Sequence, residues 1–396
     1  MRCLSRGVRS YIIEKLQAVL NRKQMSQIAT CLRAGVLSLA CFWSAVLQGA
    51  DTSVIDSPFL GVTHIFRTGS TPNFPRNVKM HIVKIDLTTP GLSFKLSPPG
   101  GTRDTVRQTV LAFANAQSAQ VAMNAHFFLP FPSADLNADL VGFGASQGTV
   151  FSPFEIPSQN YAIVRDAPGL NIDASNRASI VTRAAGFSDG TCYLCVTNDG
   201  LHVNERVTLW NTVAGSAQIV TNGVKSLPCY VDALNPGCAL VGPGPAGYSN
   251  ANSWYNLTNA RTSIGLTQDR KTLVLFTVDN AGGSSGMRVG EVADLLIADY
   301  GVYDALNLDG GGSTTMVFEN PVTHVRALVN TSSNGATPRE VATSLGVFAP
   351  AKAAVTYTFN TSPADLSTTV DGATSSSPQS PAWTFGSSHT IATTSP

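Results

Sequence analysis

The stretch Asn307-Leu308-Asp309-Gly310-Gly311-Gly312-Ser313, continued by Thr314 and Thr315, holds the densest chemistry in the chain. Asp309 closes an apolar run and is followed by three glycines and three hydroxyls. Glycine accepts positive φ and lets a ligand approach the main chain closely. Successive N–H groups in such a turn form an anion-binding concavity. A carboxylate beside an anion cradle suits a site that holds a phosphate and does acid/base or nucleophilic work on the adjacent carbon. A tight structural hairpin in which Asp309 caps backbone amides has the same composition, and the turn alone does not separate the two.

Other reactive side chains fall at the ends of expected elements. Arg261-Thr262 opens a strand that runs to Leu266, and Asp279 closes the apolar strand Thr272 to Val278. Glu291 begins a helix, Val289 to Tyr300, whose stop is Gly301. Tyr303 to Leu308 and Thr314 to Phe318 are strands flanking the glycine turn, and Arg339 precedes a last strand, Val341 to Phe348. Strand ends that meet in one layered sheet would bring these groups together. Arginine is the favoured bidentate partner of phosphate, although any single Arg or Asp also suits a surface salt bridge.

Upstream, Val78 to Leu87 alternates as a strand. Pro90-Gly91 turns it, and Leu92 to Leu96 is expected to return as its hairpin partner. Thr105 to Gln117 has helical spacing, and Gln120 to Met123 is a short strand that delivers Asn124. Residues 130–250 give short strands and long loops. The pattern lacks regular βα alternation. The expected class is therefore α+β, a mixed β-sheet with few helices.

Composition sets the frame. The 396 residues are 43% hydrophobic and 13% charged, with net charge +1, so no global field points to nucleic acid or an anionic membrane. Arg33 precedes an apolar run from Ala34 to Leu47, then Gln48-Gly49-Ala50. This reads as a secretory signal cleaved near Ala50, too short for a stable membrane span, which needs about 20 apolar residues. Met25 would give it better proportions than Met1. Three of the seven cysteines (Cys3, Cys31 and Cys41) fall in this leader. Cys192, Cys195, Cys229 and Cys238 remain, and an even set in an exported chain favours disulfides. Zinc, the rival reading, wants closer pairs. The expected organisation is a leader over 1–50, a lead-in segment over 51–77, a catalytic domain over 78–349, and a Ser/Thr/Pro-rich tail over 350–396.

The ordered set Arg261–Gly265, Leu273–Asp279, Ser285-Gly286-Met287, Glu291–Leu296 and Asp304–Thr315 resembles the phosphodiester glycosidase family. Asn124-x-x-Phe127-Phe128 is similar to the family's Asn-Gly-Gly-Phe-Phe element, and Pro338-Arg339 to its late arginine motif. Ala125 and His126 replace two glycines there, and Asn280 stands where a glycine often follows Asp279. These departures bear on substrate choice. The resemblance implies hydrolysis of a sugar-1-phosphodiester, releasing free sugar and a phosphomonoester, with a phosphorylated glycan as partner and an exopolysaccharide among the substrates to consider. Glycoside cleavage passes through an oxocarbenium-like state usually served by two carboxyls. The candidates are Asp309 and Glu291, with Asp279 third. Arg261, Arg339 and the amides of Gly310, Gly311 and Gly312 would stabilise the leaving phosphate. Thr262, Gly286 and Ser313 join them as binding residues, Asn124 and Asn307 would bind sugar hydroxyls, and Trp254-Tyr255 would stack on the sugar or lie in the core. No cofactor is expected. Calcium is the ion that carboxylates beside phosphate would suit, but no EF-hand spacing is present.

Two other classes compete. Gly144-Ala-Ser146-Gln-Gly148 and Gly282-Gly-Ser284-Ser-Gly286 match G-x-S-x-G, and Asp309 then His324 follow in the order of an α/β-hydrolase. That makes a serine hydrolase the runner-up, although residues padding both sides of Ser284 weaken the nucleophile elbow. The third class is a non-catalytic glycan-binding envelope protein on the same fold.

Overall fold

The computed structural model describes residues 52–71, 74–154, 163–164, 166–184, 195–196, 201–229, 236, 238, 240–241, 249–250, 252–335, 337–352, 354–361, 364–371 and 391–394. The expected leader, its cleavage point and Cys192 lie outside them. Of the four remaining cysteines, Cys229 and Cys238 form a disulfide. No helix among the described residues is long and apolar enough to cross a membrane.

Two sheets face each other across the main core. The larger draws on β1 (Thr52–Phe59), β2 (Val62–Thr71), β3 (Phe74–Asp86), β7 (Ala217–Thr221), β8 (Val224–Lys225), β9 (Arg261–Thr267), β10 (Thr272–Val278) and β11 (Val302–Asn307). Their order is β1-β2-β3-β10-β9-β11-β7-β8. The smaller contains β4 (Ser93–Leu96), β5 (Val121–Asn124), β12 (Met316–Glu319), β13 (Arg326–Leu328) and β14 (Ser344–Phe348), in the order β13-β12-β5-β14-β4. A third sheet is built around β6 (Asn211–Ala214) and packs its Leu170, Ile172 and Val213 into the same core.

The apolar pattern explains these layers. β10 is apolar at almost every position because it is central and buried on both faces. Leu273 and Leu275 point toward the smaller sheet, while Val274, Phe276 and Val278 point toward helix α2 (Val289–Tyr300). β3 divides the same way, Met80 and Ile82 facing the helix and Val83 and Ile85 facing the second sheet. Helix α1 (Val110–Gln117) covers the far side of the smaller sheet with Val110, Phe113 and Ala114. Truncating a side chain as deeply placed as Phe276 or Phe113 costs about 3–5 kcal/mol. Gly301 ends α2 at φ 64°, its N–H reaching the carbonyls of Leu296 and Ile297.

Several expectations change. Every ladder between the described strands is antiparallel, so the sheet is not mixed, and the protein is mostly β with two α-helices among the described residues. Leu92 to Leu96 does not fold back on β3. Its strand pairs with β14 in the other sheet, because the two edges of β3 are already taken by β2 and β10. The lead-in segment is a long hairpin, β1 and β2, added to the larger sheet. Helix α1 starts at Val110 rather than Thr105, since the Thr109 hydroxyl accepts the Ala112 N–H and sets the cap there. In the tail, 354–361, 364–371 and 391–394 form a small sheet.

Candidate active site

The turn after β11 is where the two large sheets are stitched together. Leu308 N–H bonds to the Thr262 carbonyl on β9, and Asp309 N–H bonds to the Ala125 carbonyl beyond β5. Asn124 Nδ2 donates to the Asp309 carbonyl at 2.6 Å. Thus the backbone of Asp309 is fixed from the smaller sheet and that of its neighbour Leu308 from the larger. Gly311 then adopts φ +60°, which favours glycine, and the chain tightens into a 3₁₀ turn over Gly311–Ser313. Gly312 serves by its small size instead. A Cβ there would lie 2.4 Å from Arg339 Nη2 and 2.3 Å from Asn334 Oδ1.

Around this turn the reactive groups line up. Arg339 Nη1 donates to Ser313 Oγ at 3.1 Å, and Ser313 in turn hydrogen-bonds the Asp309 carboxylate. The Arg339 guanidinium lies 4.5 Å from the centre of the Phe131 ring, a cation–π stack that holds the fork flat. Asp309 keeps 8% of its surface open. Burial pushes its carboxyl up to about 7, against the Ser313 hydrogen bond, the Arg339 charge and the Gly310 N–H. This carboxyl is therefore poised near neutrality. The glycine amides are a smaller cradle than the composition suggests, because Gly311 N–H is bonded to the Ala260 carbonyl and Ser313 N–H to that of Gly310.

Asp279, at the end of β10, is 3% exposed. It accepts Thr331 N–H at 2.9 Å and a hydrogen bond from Asn330. Burial lifts it to about 6, opposed by these bonds and by Lys79. Asn330 Nδ2 also reaches the Thr314 carbonyl at 3.1 Å. Thr262 Oγ1 lies 3.3 Å from Thr314 Oγ1 and donates to Asn124 Oδ1 at 3.0 Å. A buried polar chain therefore runs Asp279–Asn330–Thr314–Thr262–Asn124–Asp309. Asn124 is filled by protein partners: Thr315 N–H donates to its Oδ1 as well.

The remaining expected residues have other engagements. Glu291 sits three residues into α2, accepts Arg288 N–H at 2.7 Å and makes a two-pronged ion pair with Arg76. Burial raises its pKa, but the hydrogen bonds from Arg76 and Arg288 prevail and hold it below the usual glutamate range. Arg76 Nε also binds the Gly286 carbonyl, at 3.2 Å. Gly286 needs its φ of +67°, and a Cβ would strike the Asn259 carbonyl at 2.5 Å. Arg261 turns its guanidinium to backbone carbonyls, Met287 at 3.0 Å, Trp254 at 2.6 Å and Leu257. Asn307 Nδ2 donates to Ser216 Oγ at 2.9 Å. Tyr255 and Trp254 pack edge to face within the α2 core.

His126, one of the departures from the family pattern, carries its ring into the core. Nδ1 lies 2.9 Å from Thr343 Oγ1, and Nε2 accepts Ala214 N–H at 3.0 Å. Burial depresses its pKa to about 4. The G-x-S-x-G serines are also committed: Ser284 Oγ donates to the Asp279 carbonyl at 2.7 Å and Ser146 Oγ to that of Leu96 at 2.7 Å. His324 pairs instead with Glu319. Among the described residues neither serine has the imidazole partner that a hydrolase elbow requires. Among the described residues no group of three or more His, Cys, Asp or Glu is placed to hold a metal ion.

Phe131, Asn330 and Asn334 complete the site, yet no local spacing marks them. Phe131 and Arg339 are distant in sequence, and only the fold of the two sheets joins them.

Residues 212–348 match the family model for phosphodiester glycosidase. The resemblance carried by the motifs is thereby shown over that stretch, which contains Asp279, Glu291, Asp309 and Arg339. The human N-acetylglucosamine-1-phosphodiester alpha-N-acetylglucosaminidase is a relative, 36% identical over 96 residues, or 24% of this chain and 18% of its own. The bovine enzyme of that name is 43% identical over 67 residues, 17% of this chain and 12% of its own. The chain thus spans less than a fifth of the length of these relatives. The zebrafish catalytic domain of that name, auto-inhibited by its pro-peptide, superposes with a TM-score of 0.49 at 19% identity, covering 78% of this chain and 90% of that one.

Proposed function

We propose that the protein is an exported hydrolase that cleaves the bond between a sugar's anomeric carbon and a phosphodiester, releasing the free sugar and a phosphomonoester. The observation that carries this reading is the Arg339–Ser313–Asp309 line at a glycine turn: a cation over the Phe131 ring, a hydroxyl, and a carboxyl poised near neutrality, brought together at one place in the fold. The segment's match to phosphodiester glycosidases supports it.

In this reading the Arg339 guanidinium takes the phosphate. Its planar fork fits two phosphate oxygens and stabilises the charge that grows as the C–O bond breaks. The phosphomonoester leaves as an anion and needs little protonation. Asp309 then serves the water: its carboxylate form accepts a proton as the water oxygen attacks the anomeric carbon, and its position near pH 7 keeps that form populated. The water's hydroxyl ends on the sugar, and the proton taken by Asp309 passes on to the released phosphate or to solvent, restoring the carboxylate. Asp279, linked to Asp309 through Asn330, Thr314, Thr262 and Asn124, is the second carboxyl of the site. Glu291 serves α2 and Arg76, and Arg261 braces the 254–257 and 287 loops. The catalytic unit spans 78–349, with β1 and β2 extending its sheet. An N-terminal signal would export it to the compartment where phosphorylated glycans are met.

The test is a panel of purified sugar-1-phosphodiesters offered to wild type and to Asp309→Asn, with and without chelator. Free sugar from wild type only is the expected result. Equal release by both proteins would remove Asp309 from the chemistry.

A further inference from the structure

Three titratable side chains outside that site form a chain of their own. Asp56 lies on β1, His64 on β2 and His81 on β3, side by side across the edge of the larger sheet. Asp56 Oδ1 is 3.1 Å from His64 Nδ1, and His64 Nε2 is 3.0 Å from His81 Nδ1. The two rings lie almost parallel, 6° apart, with centroids 5.2 Å apart. Phe318 covers His64 and Phe66 covers His81. The chain runs inward, from a carboxylate 57% exposed to an imidazole 4% exposed.

At its inner end His81 pairs across the strands with Thr277 of β10, and the Val329 carbonyl lies beside the ring. His81 Nε2 and Thr277 Oγ1 are both buried with no hydrogen-bond partner of good geometry. Val329 begins the strap that holds Asp279: Val329 N–H is tied to the Met316 carbonyl, Asn330 bonds the Asp279 side chain, and Thr331 N–H donates to Asp279 Oδ1.

Counting protons shows what the chain does. With both rings neutral, Asp56 keeps the His64 proton on Nδ1, so His64 Nε2 is an acceptor and His81 must donate from Nδ1. His81 Nε2 is then a bare lone pair facing a carbonyl. Adding one proton makes His64 an imidazolium between Asp56 and His81. Its Nε2–H donates to His81 Nδ1, His81 carries its own proton on Nε2, and that N–H meets the Val329 carbonyl. Every ring nitrogen then has a partner.

We propose that Asp56, His64 and His81 are a proton relay that positions Asp279: net uptake of one proton switches the tautomer of His81, and His81 Nε2–H then grips Val329 and steadies the strap on the Asp279 carboxylate. His81 is a positioning residue, two steps from the substrate. The relay rests on the proposed function only in treating Asp279 as part of a site. The groups facing the rings are Asp56, Phe66, Thr277, Phe318 and the Val329 carbonyl, and of these Asp56 alone is charged. Burial, followed by the neighbouring His64, holds His81 down to about 3, so the proton stays on His64. Burial also lowers His64, with Asp56 pulling it back up, which places the uptake on the acid side of an ordinary histidine.

The experiment is a pH titration, from 7.5 to 4.5, of the whole chain labelled with ¹⁵N-histidine, following ring nitrogens and the Thr331 amide. The expected result is that His81 passes from Nδ1–H to Nε2–H without becoming charged, and that the Thr331 amide shifts along the His64 curve. Asp56→Asn, an exposed change that leaves the fold intact, should move both curves together toward lower pH, by about one unit. A His81 that keeps one tautomer while His64 titrates overturns the proposal, as does a Thr331 amide indifferent to that titration. None of these signals depends on turnover, so failure of sugar release in the same preparation would count against the hydrolase reading and leave the relay standing.

Discussion

Gly312→Ala tests whether Arg339 is held where the chemistry needs it. The backbone at Gly312 is outside the positive-φ set, so alanine meets no dihedral penalty and the obstacle is space. The new Cβ would stand 2.4 Å from Arg339 Nη2 and 2.3 Å from Asn334 Oδ1. Ordinary contact begins near 3.5 Å, so the guanidinium must retreat by roughly 1 Å. Both obstructing atoms end flexible side chains, which makes retreat easier than unfolding. Retreat lengthens the Arg339–Ser313 bond from 3.1 Å to beyond hydrogen-bond range and slides the guanidinium off Phe131. A displacement of about 1 Å at a reacting group costs on the order of 10²-fold in rate. Overpacking absorbed by side-chain movement costs about 1 kcal/mol, the low end of its range. The assay pairs kcat/KM for sugar release with urea unfolding of the same protein. The expected result is a loss near a hundredfold in kcat/KM and a small loss of stability. Gly215→Ala is the contrast, since its Cβ would meet the Asn307 carbonyl oxygen at 1.9 Å, and backbone does not step aside. Wild-type kcat/KM in Gly312→Ala would refute the role given to Arg339, and so would an activity loss that merely tracks unfolding.

Asp309→Asn should stabilise the fold at high pH. Burial raises Asp309 from 3.8 to about 7, so its stabilising share is full below 3.8 and is lost as pH climbs through 7. At about 1.4 kcal/mol per unit, the variant should exceed wild type by up to a few kcal/mol at pH 8 in urea unfolding, the gap closing by pH 4. Glu291→Gln should cost about 1–2 kcal/mol, from a weakened Arg76 pair and helix cap, while kcat stays within a few-fold of wild type. Because the Glu291 pKa is depressed, the wild-type advantage should be present above 4.5 and fade as pH falls through the folded value. A large kcat loss at unchanged stability would return Glu291 to the catalytic set. Ser284→Ala should retain turnover, and wild type should resist a fluorophosphonate probe, since that hydroxyl is bound to the Asp279 carbonyl. Covalent labelling at Ser284 would contradict this.

Some of this was legible in the sequence for clear reasons. β10 announces itself because a central strand buried on both faces must be apolar throughout. Gly301 and the triple glycine mark places where backbone geometry or space excludes a side chain. Pairing partners are another matter. Ser93–Leu96 finds its neighbour at 344–348, a contact that no local pattern encodes. β1 was obscured by its position at a sheet edge, where Thr52, Ser53, Asp56 and Ser57 are exposed and the period-2 signal is weak. The site residues divide by the same logic. Asp309 and Arg339 stand in short motifs. Arg261 stands in one as well, but a motif does not say whether a guanidinium faces ligand or main-chain carbonyls. Glu291, three residues after Arg288, has the spacing of a helix cap, and a carboxylate in that position serves the helix as readily as a reaction.

The central claim concerns which bond breaks, and solvent oxygen answers it. Turnover of a sugar-1-phosphodiester in H₂¹⁸O should place the label in the anomeric hydroxyl of the released sugar and leave the phosphomonoester unlabelled. Label in the phosphate would mean attack at phosphorus, and the account of Asp309 serving water at an anomeric carbon would be contradicted.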